Sequence, residues 1–332
     1  MKTDINLIKK LISGTAEIIE NNGAVEFHRM TAEQRDILKN NQDFAMKAAA
    51  TSGVKLEFAT DASAVRLAGT FAGGSSRKFA FFDISVNGIL SAHEGTDNYI
   101  EQPEFDFTVS LDGKLNRVAI YFPCLTKATL KTLEFTGSST VEPIKKSRMI
   151  ICYGDSITQG YDAVYPSFAY TNLLADALDA EILNKAIGGE IFNPAFGSAP
   201  DPVRPDLITV AYGTNDWRKG ETAESLKANA AGFFAALTRN YPEVPIVALL
   251  PIWRKDMMDI HPSGNLESAI ATLRDLYSEL DNVAVVDGMP LVPHLPEFFA
   301  DGYLHPNDSG FLLYGHNLLN HPALAKFKNA AL

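Results

Sequence analysis

The sequence has few cysteines, fewer basic than acidic residues and no long apolar run. Its 332 residues include two cysteines, Cys124 and Cys152, too few for a disulfide framework. The 29 Lys and Arg against 40 Asp and Glu give a formal net charge of -11. This acidity disfavours nucleic acids and membranes as partners, because both attract basic surfaces. The composition is that of a soluble globular protein, and the length favours about two domains.

Signals for export and membrane insertion are also missing. No segment approaches the roughly 20 apolar residues of a membrane span. The N-terminal stretch MKTDINLIKKLISG is interrupted by Lys9 and Lys10, so it lacks the unbroken apolar core of a signal peptide. We therefore predict a cytoplasmic protein with reduced thiols, in which Cys152 packs as a small hydrophobic residue. Apart from His305, the histidines do not fall at ligand spacing with a second His or Cys, which predicts no metal site.

The N-terminal half shows the period of half-buried strands. Apolar residues alternate along segments 54–58, 82–86 and 105–111. The pairs Asn87-Gly88 and Asp112-Gly113 lie between such segments, and each suits the positive φ angles of a tight hairpin. Residues 1–140 are therefore predicted to form a β-sandwich, or jelly-roll-like, domain.

The pattern changes after GSSTVEPIKKSR, a polar stretch that indicates a linker. Short apolar segments then alternate with helical ones, which is typical of an α/β domain with a parallel sheet covered on both faces. We place this domain at 147–332. The predicted strands are 148–153, 181–185, 207–212, 245–250 and 282–286, and the helices are 164–178, 221–239, 265–280 and 308–320.

Small and polar residues follow several of these strands. Because the carboxyl ends of parallel strands meet at one edge of the sheet, these residues are candidates for one shared site. They are Gly154, Asp155 and Ser156; then Gly188 and Gly189; then Gly213, Thr214, Asn215 and Asp216; then Asp301 and His305. A hydroxyl nucleophile, backbone N–H groups beside glycine, an amide donor, a base and an acid are the groups that acyl transfer by serine requires.

The stretches GDSIT, NKAIGG, YGTND and LHPND resemble, in this order, the Ser, Gly, Asn and His blocks of the SGNH (GDSL-type) hydrolases. The resemblance covers about residues 147–322 and implies a flavodoxin-like three-layer α/β/α fold with esterase or lipase activity. Carried over by motif, it makes Ser156 the nucleophile and His305 the general base. The N–H groups of Ser156 and Gly189 and the side-chain amide of Asn215 would form the oxyanion hole. This chemistry needs no cofactor.

The sequence departs from the family pattern at the acid. The family's acid lies three residues before the histidine, whereas Asp301 lies four residues before His305. A flexible Gly302 would let Asp301 orient the imidazole and complete a triad. The alternative is a Ser-His dyad whose ring is held by a backbone carbonyl. Asp308 is interpreted as the cap of the last helix.

Other polar residues near the motifs receive different interpretations. Asp155 and Asp216 are interpreted as structural, because each can accept backbone hydrogen bonds in its own turn. Trp253, Arg254 and Trp217 follow strand ends and are weaker candidates for the substrate pocket. Tryptophan beside a polar site stacks on sugars or packs in the core, and the sequence does not separate the two.

The resulting prediction is a serine esterase that hydrolyses small acyl esters, with acetyl the favoured group. A β-sandwich before an SGNH domain resembles acetylxylan esterases and carbohydrate esterase family two, which implies an oligosaccharide ester as the substrate. One alternative is a lysophospholipase or thioesterase for longer acyl chains. Another is a carbohydrate-binding protein with an inactive hydrolase half. The sequence leaves the sugar, the acyl position and the oligomeric state open.

Overall fold

A computed structural model describes residues 4–328 of the chain. No helix in these residues is long and apolar enough to cross a membrane. The elements of the first half, in chain order, are α1 (Ile5–Leu11), β1 (Ile12–Ser13), β2 (Glu17–Asn21), β3 (Ala24–His28), α2 (Ala32–Leu38), α3 (Gln42–Ala48), β4 (Lys55–Thr60), β5 (Ala64–Gly73), β6 (Ala80–Val86), β7 (Ile89–Thr96), β8 (Glu104–Ser110), β9 (Asn116–Tyr121), β10 (Thr126–Thr136) and β11 (Val141–Pro143).

These strands form two antiparallel sheets that enclose one apolar core, so the predicted β-sandwich is confirmed. Over the described residues, one sheet has the order β1-β4-β9-β6-β7 with β11 added beside β4, and the other has the order β2-β3-β10-β5-β8. Strand β8 shows the expected alternation, because its phenylalanines Phe105 and Phe107 face the core while the residues between them are exposed.

One of the two turn predictions is confirmed and the other is wrong. Asn87 and Gly88 have φ angles of 52° and 82° and join the paired strands β6 and β7 in a tight hairpin. Asp112 and Gly113 instead join β8 to β9, which belong to different sheets, so no hairpin forms there. The predicted linker also differs from the structure, because β11 within it pairs with β4 and extends the sandwich to Pro143.

The second half alternates strands with helices. Its elements are β12 (Arg148–Gly154), α4 (Ser156–Gln159), α5 (Tyr170–Ala177), β13 (Ala180–Asn184), α6 (Pro194–Ser198), β14 (Leu207–Ala211), α7 (Thr214–Arg218), α8 (Ala223–Asn240), β15 (Ile246–Leu249), α9 (Leu266–Ser278), β16 (Val283–Val286), α10 (Asp308–Leu319) and α11 (Ala325–Lys328). Short 3₁₀ turns cover Pro166–Phe168, Met289–Leu291, Pro296–Phe298 and Pro322–Leu324. The predicted strands are confirmed to within one residue at each end.

The sheet of this half is parallel and, in the part of the chain that the structure describes, has the order β13-β12-β14-β15-β16. This is the flavodoxin-like order, so the predicted fold class is confirmed. Side chains of β12 alternate between two apolar clusters. Ile151 and Tyr153 belong to one cluster, while Ile150 and Cys152 belong to the other. Helices therefore cover both faces, as a buried parallel sheet requires.

A buried arginine joins the two halves. Arg29 follows β3, and its guanidinium donates to the carbonyl oxygens of Lys47 and Ala50 in the first half. It also donates to Asn184 and Ala186 in the second half, at 2.7 Å each. Ala186 lies just before the Gly188-Gly189 pair, so this contact holds a loop of the predicted site.

Candidate active site

Ser156 lies at the start of a short helix that the preceding strand presents at the edge of the sheet. Asp155 caps α4 by accepting a hydrogen bond from Ile157 N at 3.0 Å, so the structural interpretation of Asp155 agrees with its position. Gly154 is required by close packing, because a Cβ there would lie 2.2 Å from Thr158 Oγ1. Ser156 is 5% exposed, and its backbone N–H belongs to the first turn of the helix, where no intrahelical acceptor exists.

A chain of hydrogen bonds links the predicted nucleophile, base and acid. His305 Nε2 lies 2.9 Å from Ser156 Oγ, and His305 Nδ1 lies 2.8 Å from an oxygen of Asp301. The extra residue between the acid and the base is accommodated by Gly302, whose φ of +62° is in the left-handed region that favours glycine. The segment thus folds back and returns the carboxylate to the imidazole.

The other oxygen of Asp301 fixes the loop itself. It accepts hydrogen bonds from the backbone N–H groups of Tyr303 and Leu304 at 2.8 Å and of His305 at 3.2 Å. Burial raises the pKa of Asp301, but the hydrogen bond with His305, the backbone donors and the charge of His305 lower it more, and the result lies below the usual value. Asp301 is therefore ionised at neutral pH and suited to hold the imidazole.

The candidate oxyanion-hole groups come from three loops that are bonded to one another. Ile187 N donates to Gly154 O at 3.0 Å, which joins the second motif to the first. Gly188 N donates to Gln159 Oε1 at 2.7 Å. Gly189 has a φ of +86°, and its N–H has no acceptor within residues 4–328. Asn215 Nδ2 donates to Glu190 O at 3.0 Å, which brings the third motif to the same loop.

Three buried carboxyl groups lie under these loops. Burial raises the pKa of Glu190 to about 8, although a hydrogen bond from Tyr212 and the charge of Arg29 oppose the rise. Burial likewise raises the pKa of Asp216 to about 7 and that of Asp155 to about 6. Asp216 accepts from Gly213 N and Phe192 N, which agrees with its structural interpretation. Sequence reasoning missed Glu190, whose only signal is an acid directly after the glycine pair.

The sandwich half also borders the site, which no sequence pattern indicated. Lys47, in α3, donates to Gly188 O at 2.8 Å, and Lys219 donates to Gly189 O. Phe44 and Lys47 bound the space in front of Gly189, because a Cβ built there would lie 3.8 Å from each. Phe44 and Lys47 are distant from the motifs in the sequence, so only the fold brings them to the site, whereas Lys219 closely follows the third motif.

Two of the three weaker pocket candidates are corrected. Trp217 is 0% exposed, and its Nε1 donates to Gly264 O at 3.0 Å, so it packs in the core. Arg254 is 2% exposed, and its guanidinium is bonded to Thr214 and Asp256. Neither side chain is accessible to a substrate, because both are buried.

The third pocket candidate and the helix cap have different outcomes. Trp253 is half-buried, with its ring centroid 4.9 Å from that of Phe299, and it remains a candidate for the pocket. The cap prediction for Asp308 is wrong. Asn307 caps α10 by accepting from Gly310 N, whereas Asp308 accepts from Tyr165 N at 3.1 Å and holds the loop opposite.

Among the described residues, one group of side chains has the spacing of metal ligands, and it consists of Asp162, Asp301 and His305. Each member already has a protein partner. Asp301 is bonded to His305, and both oxygens of Asp162 are bonded to Arg77. The group is therefore a network of charged side chains around the imidazole. Asp162 and Arg77 were not identified from the sequence.

Comparison with known proteins agrees with the motifs. Residues 152–312 match the model of the GDSL-like lipase/acylhydrolase family, which confirms the resemblance to SGNH hydrolases for the second half of the chain. A comparison with curated proteins gives no match.

Solved structures share the arrangement of both halves. The chain is similar to a salicylyl-acyltransferase from a tetracycline biosynthetic pathway, with 21% identity, a TM-score of 0.78 and 92% of each chain covered. It is also similar to a family two carbohydrate esterase from Cellvibrio japonicus, with 19% identity, a TM-score of 0.65 and 97% of each chain covered. An acetyl xylan esterase from Butyrivibrio proteoclasticus has 14% identity, a TM-score of 0.63 and 96% of each chain covered. At these identities the likeness establishes the fold, an SGNH domain preceded by another domain.

Proposed function

We propose that the protein is a serine esterase that hydrolyses small acyl esters through an acyl-enzyme intermediate. The observation that carries the proposal is the hydrogen-bonded chain from Ser156 through His305 to Asp301, with links of 2.9 Å and 2.8 Å. Serine is a weak nucleophile unless a base receives its proton, and this chain supplies the base and its orienting acid. The membership of residues 152–312 in an acylhydrolase family supports the same reaction type.

In the proposed first step, Ser156 Oγ attacks the ester carbonyl carbon while His305 Nε2 takes the hydroxyl proton. Asp301 holds Nδ1–H and stabilises the imidazolium. The negative charge on the carbonyl oxygen is met by N–H groups of Ser156 and Gly189 and by the side-chain amide of Asn215. The intermediate then collapses, the C–O bond to the alcohol breaks, and His305 returns the proton to the leaving oxygen.

In the proposed second step, water replaces the alcohol. His305 Nε2 takes a proton from the water, the hydroxide attacks the acyl carbon, and the bond to Ser156 Oγ breaks as the proton returns to it. The products are a carboxylic acid and the free serine. No redox or metal chemistry enters this sequence.

The proposed substrate is an acetylated carbohydrate. The shared two-domain fold with carbohydrate esterases supports this choice by analogy, since fold alone does not determine a substrate. The partly exposed ring of Trp253, which packs against Phe299, has the amphipathic character that suits a sugar face. One alternative is an enzyme that hydrolyses esters of longer acyl chains. The other is a protein that binds carbohydrate without hydrolysing it. The intact chain of hydrogen bonds argues against loss of activity.

Acyl transfer to an alcohol is a second candidate for the deacylation step. The similarity to a structure whose name is salicylyl-acyltransferase favours testing it. The same acyl-enzyme would be attacked by an acceptor hydroxyl in place of water, with His305 again taking the proton. To distinguish transfer from hydrolysis, a sugar acceptor is added and both products are measured. Transfer would form a new sugar ester and lower the amount of released acid.

The proposal is tested with p-nitrophenyl acetate and with acetylated xylo-oligosaccharides. The wild-type protein should release acetate from both, and Ser156→Ala should abolish release while keeping the circular dichroism spectrum and melting temperature, because the change removes one hydroxyl. Ser167→Ala is a matched control in the same domain, since Ser167 bonds to Asp83 and not to His305. Normal turnover by folded Ser156→Ala would refute the proposed nucleophile, and sugar binding without acetate release would favour the binding protein.

A further inference from the structure

A second carboxylate lies beside the imidazole of His305. An oxygen of Asp162 is 3.7 Å from His305 Nδ1, while Asp301 occupies the hydrogen-bonding position at 2.8 Å. Asp162 follows α4 and is buried, and its φ of +67° is one that aspartate tolerates better than most residues. The backbone therefore holds this carboxylate next to the base at some conformational cost.

The charge of Asp162 is balanced from the other half of the chain. Arg77, in the loop between β5 and β6 of the sandwich, donates from Nε to one oxygen of Asp162 at 2.5 Å and from Nη2 to the other at 2.8 Å. Such a two-bond fork fixes the orientation of the carboxylate as well as its charge. The loop is itself fixed, because Arg77 N donates to Ser75 Oγ at 2.9 Å.

The guanidinium is also close to the ring that packs against His305. The Cζ atom of Arg77 lies 5.4 Å from the ring centroid of Tyr161, and that centroid lies 5.3 Å from the centroid of the imidazole. Arg77, Tyr161 and Asp162 thus form a contiguous group on one side of His305. Two further carboxylates face His305. Asp301 lies in the same loop as His305, and Asp155 lies in the turn before Ser156.

We propose that the sandwich domain takes part in catalysis through Arg77, a positioning residue that acts on His305 through Asp162. The inference rests on the proposed esterase function and names a contribution to it from outside the hydrolase domain. Arg77 neutralises Asp162 and keeps both of its oxygens occupied. Asp301 is then the carboxylate that receives Nδ1–H, which holds the ring in the orientation that directs Nε2 at Ser156.

The charges around the imidazole determine the direction in which each substitution should shift the titration of His305. The described groups facing it are the carboxyl groups of Asp301, Asp162 and Asp155, the phenol of Tyr161 and the guanidinium of Arg77. Removing the positive charge at position 77 leaves Asp162 unbalanced and stabilises the imidazolium. Removing the negative charge at position 162 leaves the guanidinium unbalanced and destabilises the imidazolium. An unpaired charge within about 6 Å typically moves a titration by about 1 pH unit or more.

The test is a double-mutant cycle of Arg77→Gln, Asp162→Asn and the two combined. For each, the pH midpoint of the acid limb of kcat/KM is measured, and the midpoint of the His305 ring titration is followed by NMR. Arg77→Gln should raise both midpoints by about 1 unit, Asp162→Asn should lower them by a similar amount, and the double variant should return close to wild type. Arg77→Lys keeps the charge and should restore the midpoint.

A matched arginine elsewhere on the sandwich serves as the control. Arg66 makes a similar fork with Asp106, at 2.8 and 2.7 Å, in strands that do not face His305. Arg66→Gln should leave both midpoints unchanged. If Arg77→Gln does not fold, Asp162→Asn and Arg77→Lys carry the test.

The outcomes separate this inference from the proposed function. Unchanged midpoints in folded Arg77→Gln and Asp162→Asn variants of an active esterase would overturn the role of Arg77 and leave the esterase intact. A wild-type protein without esterase activity would overturn the function, while the NMR titration would still report whether Arg77 and Asp162 act on His305.

Discussion

The side-chain amide of Asn215 donates a hydrogen bond to the carbonyl oxygen of Glu190 at 3.0 Å. Glu190 directly follows Gly189, so this bond ties the loop of the third motif to that of the second. A primary amide has two N–H groups, and the bond uses one of them. The amide is thereby oriented before any substrate arrives, with its second N–H left to donate. Such preorganisation is what makes an oxyanion hole effective.

Asn215→Ala should reduce kcat by about 100 to 1,000-fold, because it removes one donor to the oxyanion. The protein should stay folded, since Asn215 is only partly buried. Steady-state kinetics on p-nitrophenyl acetate measure the effect. Asn193→Ala removes the cap of α6 and should affect stability more than turnover. A tenfold or smaller loss of kcat in Asn215→Ala would exclude the proposed role.

Asp301→Asn should reduce turnover by up to about 10,000-fold, because an amide donor facing Nδ1 favours the wrong imidazole tautomer. The retained amide oxygen can still accept from the backbone of residues 303–305, so the loop should keep its shape. Asp308 is the nearest acid after His305 in the sequence, and its carboxylate accepts a hydrogen bond from Tyr165 N. Asp308→Asn should therefore lose little activity. Near-normal turnover in folded Asp301→Asn would favour the dyad.

Glu190→Gln should stabilise the protein above pH 7. The carboxyl has a pKa of about 8 in the fold, raised by burial, against 4.5 for the free side chain. Between pH values of about 4.5 and about 8, the folded state therefore keeps a proton on Glu190 that the unfolded chain has lost. Across this range the group lowers the free energy of unfolding by up to about 1.4 kcal/mol per pH unit.

Urea unfolding at several pH values between 5 and 9 tests this linkage. The glutamine variant should show a flatter dependence of stability on pH than the wild type does. Asp216→Asn is a contrasting variant, because Asp216 accepts two backbone N–H bonds and an amide group would oppose one of them, so it should be destabilising. Parallel pH curves for Glu190→Gln and wild type would show that Glu190 is ionised in the fold.

Rates on p-nitrophenyl esters should fall steeply from acetyl to butyryl to octanoyl if the substrate is an acetylated sugar. A pocket for a methyl group cannot admit longer chains without overlap. Phe44 bounds the space in front of Gly189, so Phe44→Ala should raise the butyryl-to-acetyl rate ratio. Highest activity on octanoyl ester would favour a lipase, and an unchanged ratio in Phe44→Ala would place the acyl group elsewhere.

The sequence predicted those parts of the fold and site that depend on local patterns. Strands β12, β13, β14 and β16 are short apolar runs that end at or just before glycine or polar residues, and a parallel sheet brings such ends to one edge. Ser156 and His305 could therefore be placed together although 149 residues separate them. Gly302 led to the expectation that Asp301 can reach the imidazole, and its carboxylate lies 2.8 Å from His305 Nδ1.

The sequence could not predict contacts that depend on tertiary packing. Trp217 and Arg254 follow strand ends, where pocket residues are expected. Both are nevertheless buried by tertiary packing, which the sequence does not reveal. Arg77, Lys47 and Phe44 come from another domain, and no periodicity indicates which sandwich loop faces the catalytic edge. Glu190 was missed because one acidic residue carries no sign of its burial in the sequence.

Arg29 limits how the two halves can be separated. Its guanidinium bonds to carbonyl oxygens of both halves, including Ala186 in the chain that leads to Gly189. A truncated hydrolase domain would leave the carbonyls of Asn184 and Ala186 without their donor and expose the apolar surface around them. The predicted border between residues 140 and 147 is therefore no safe cloning boundary, and exchange of the sandwich for another module would have to preserve this arginine.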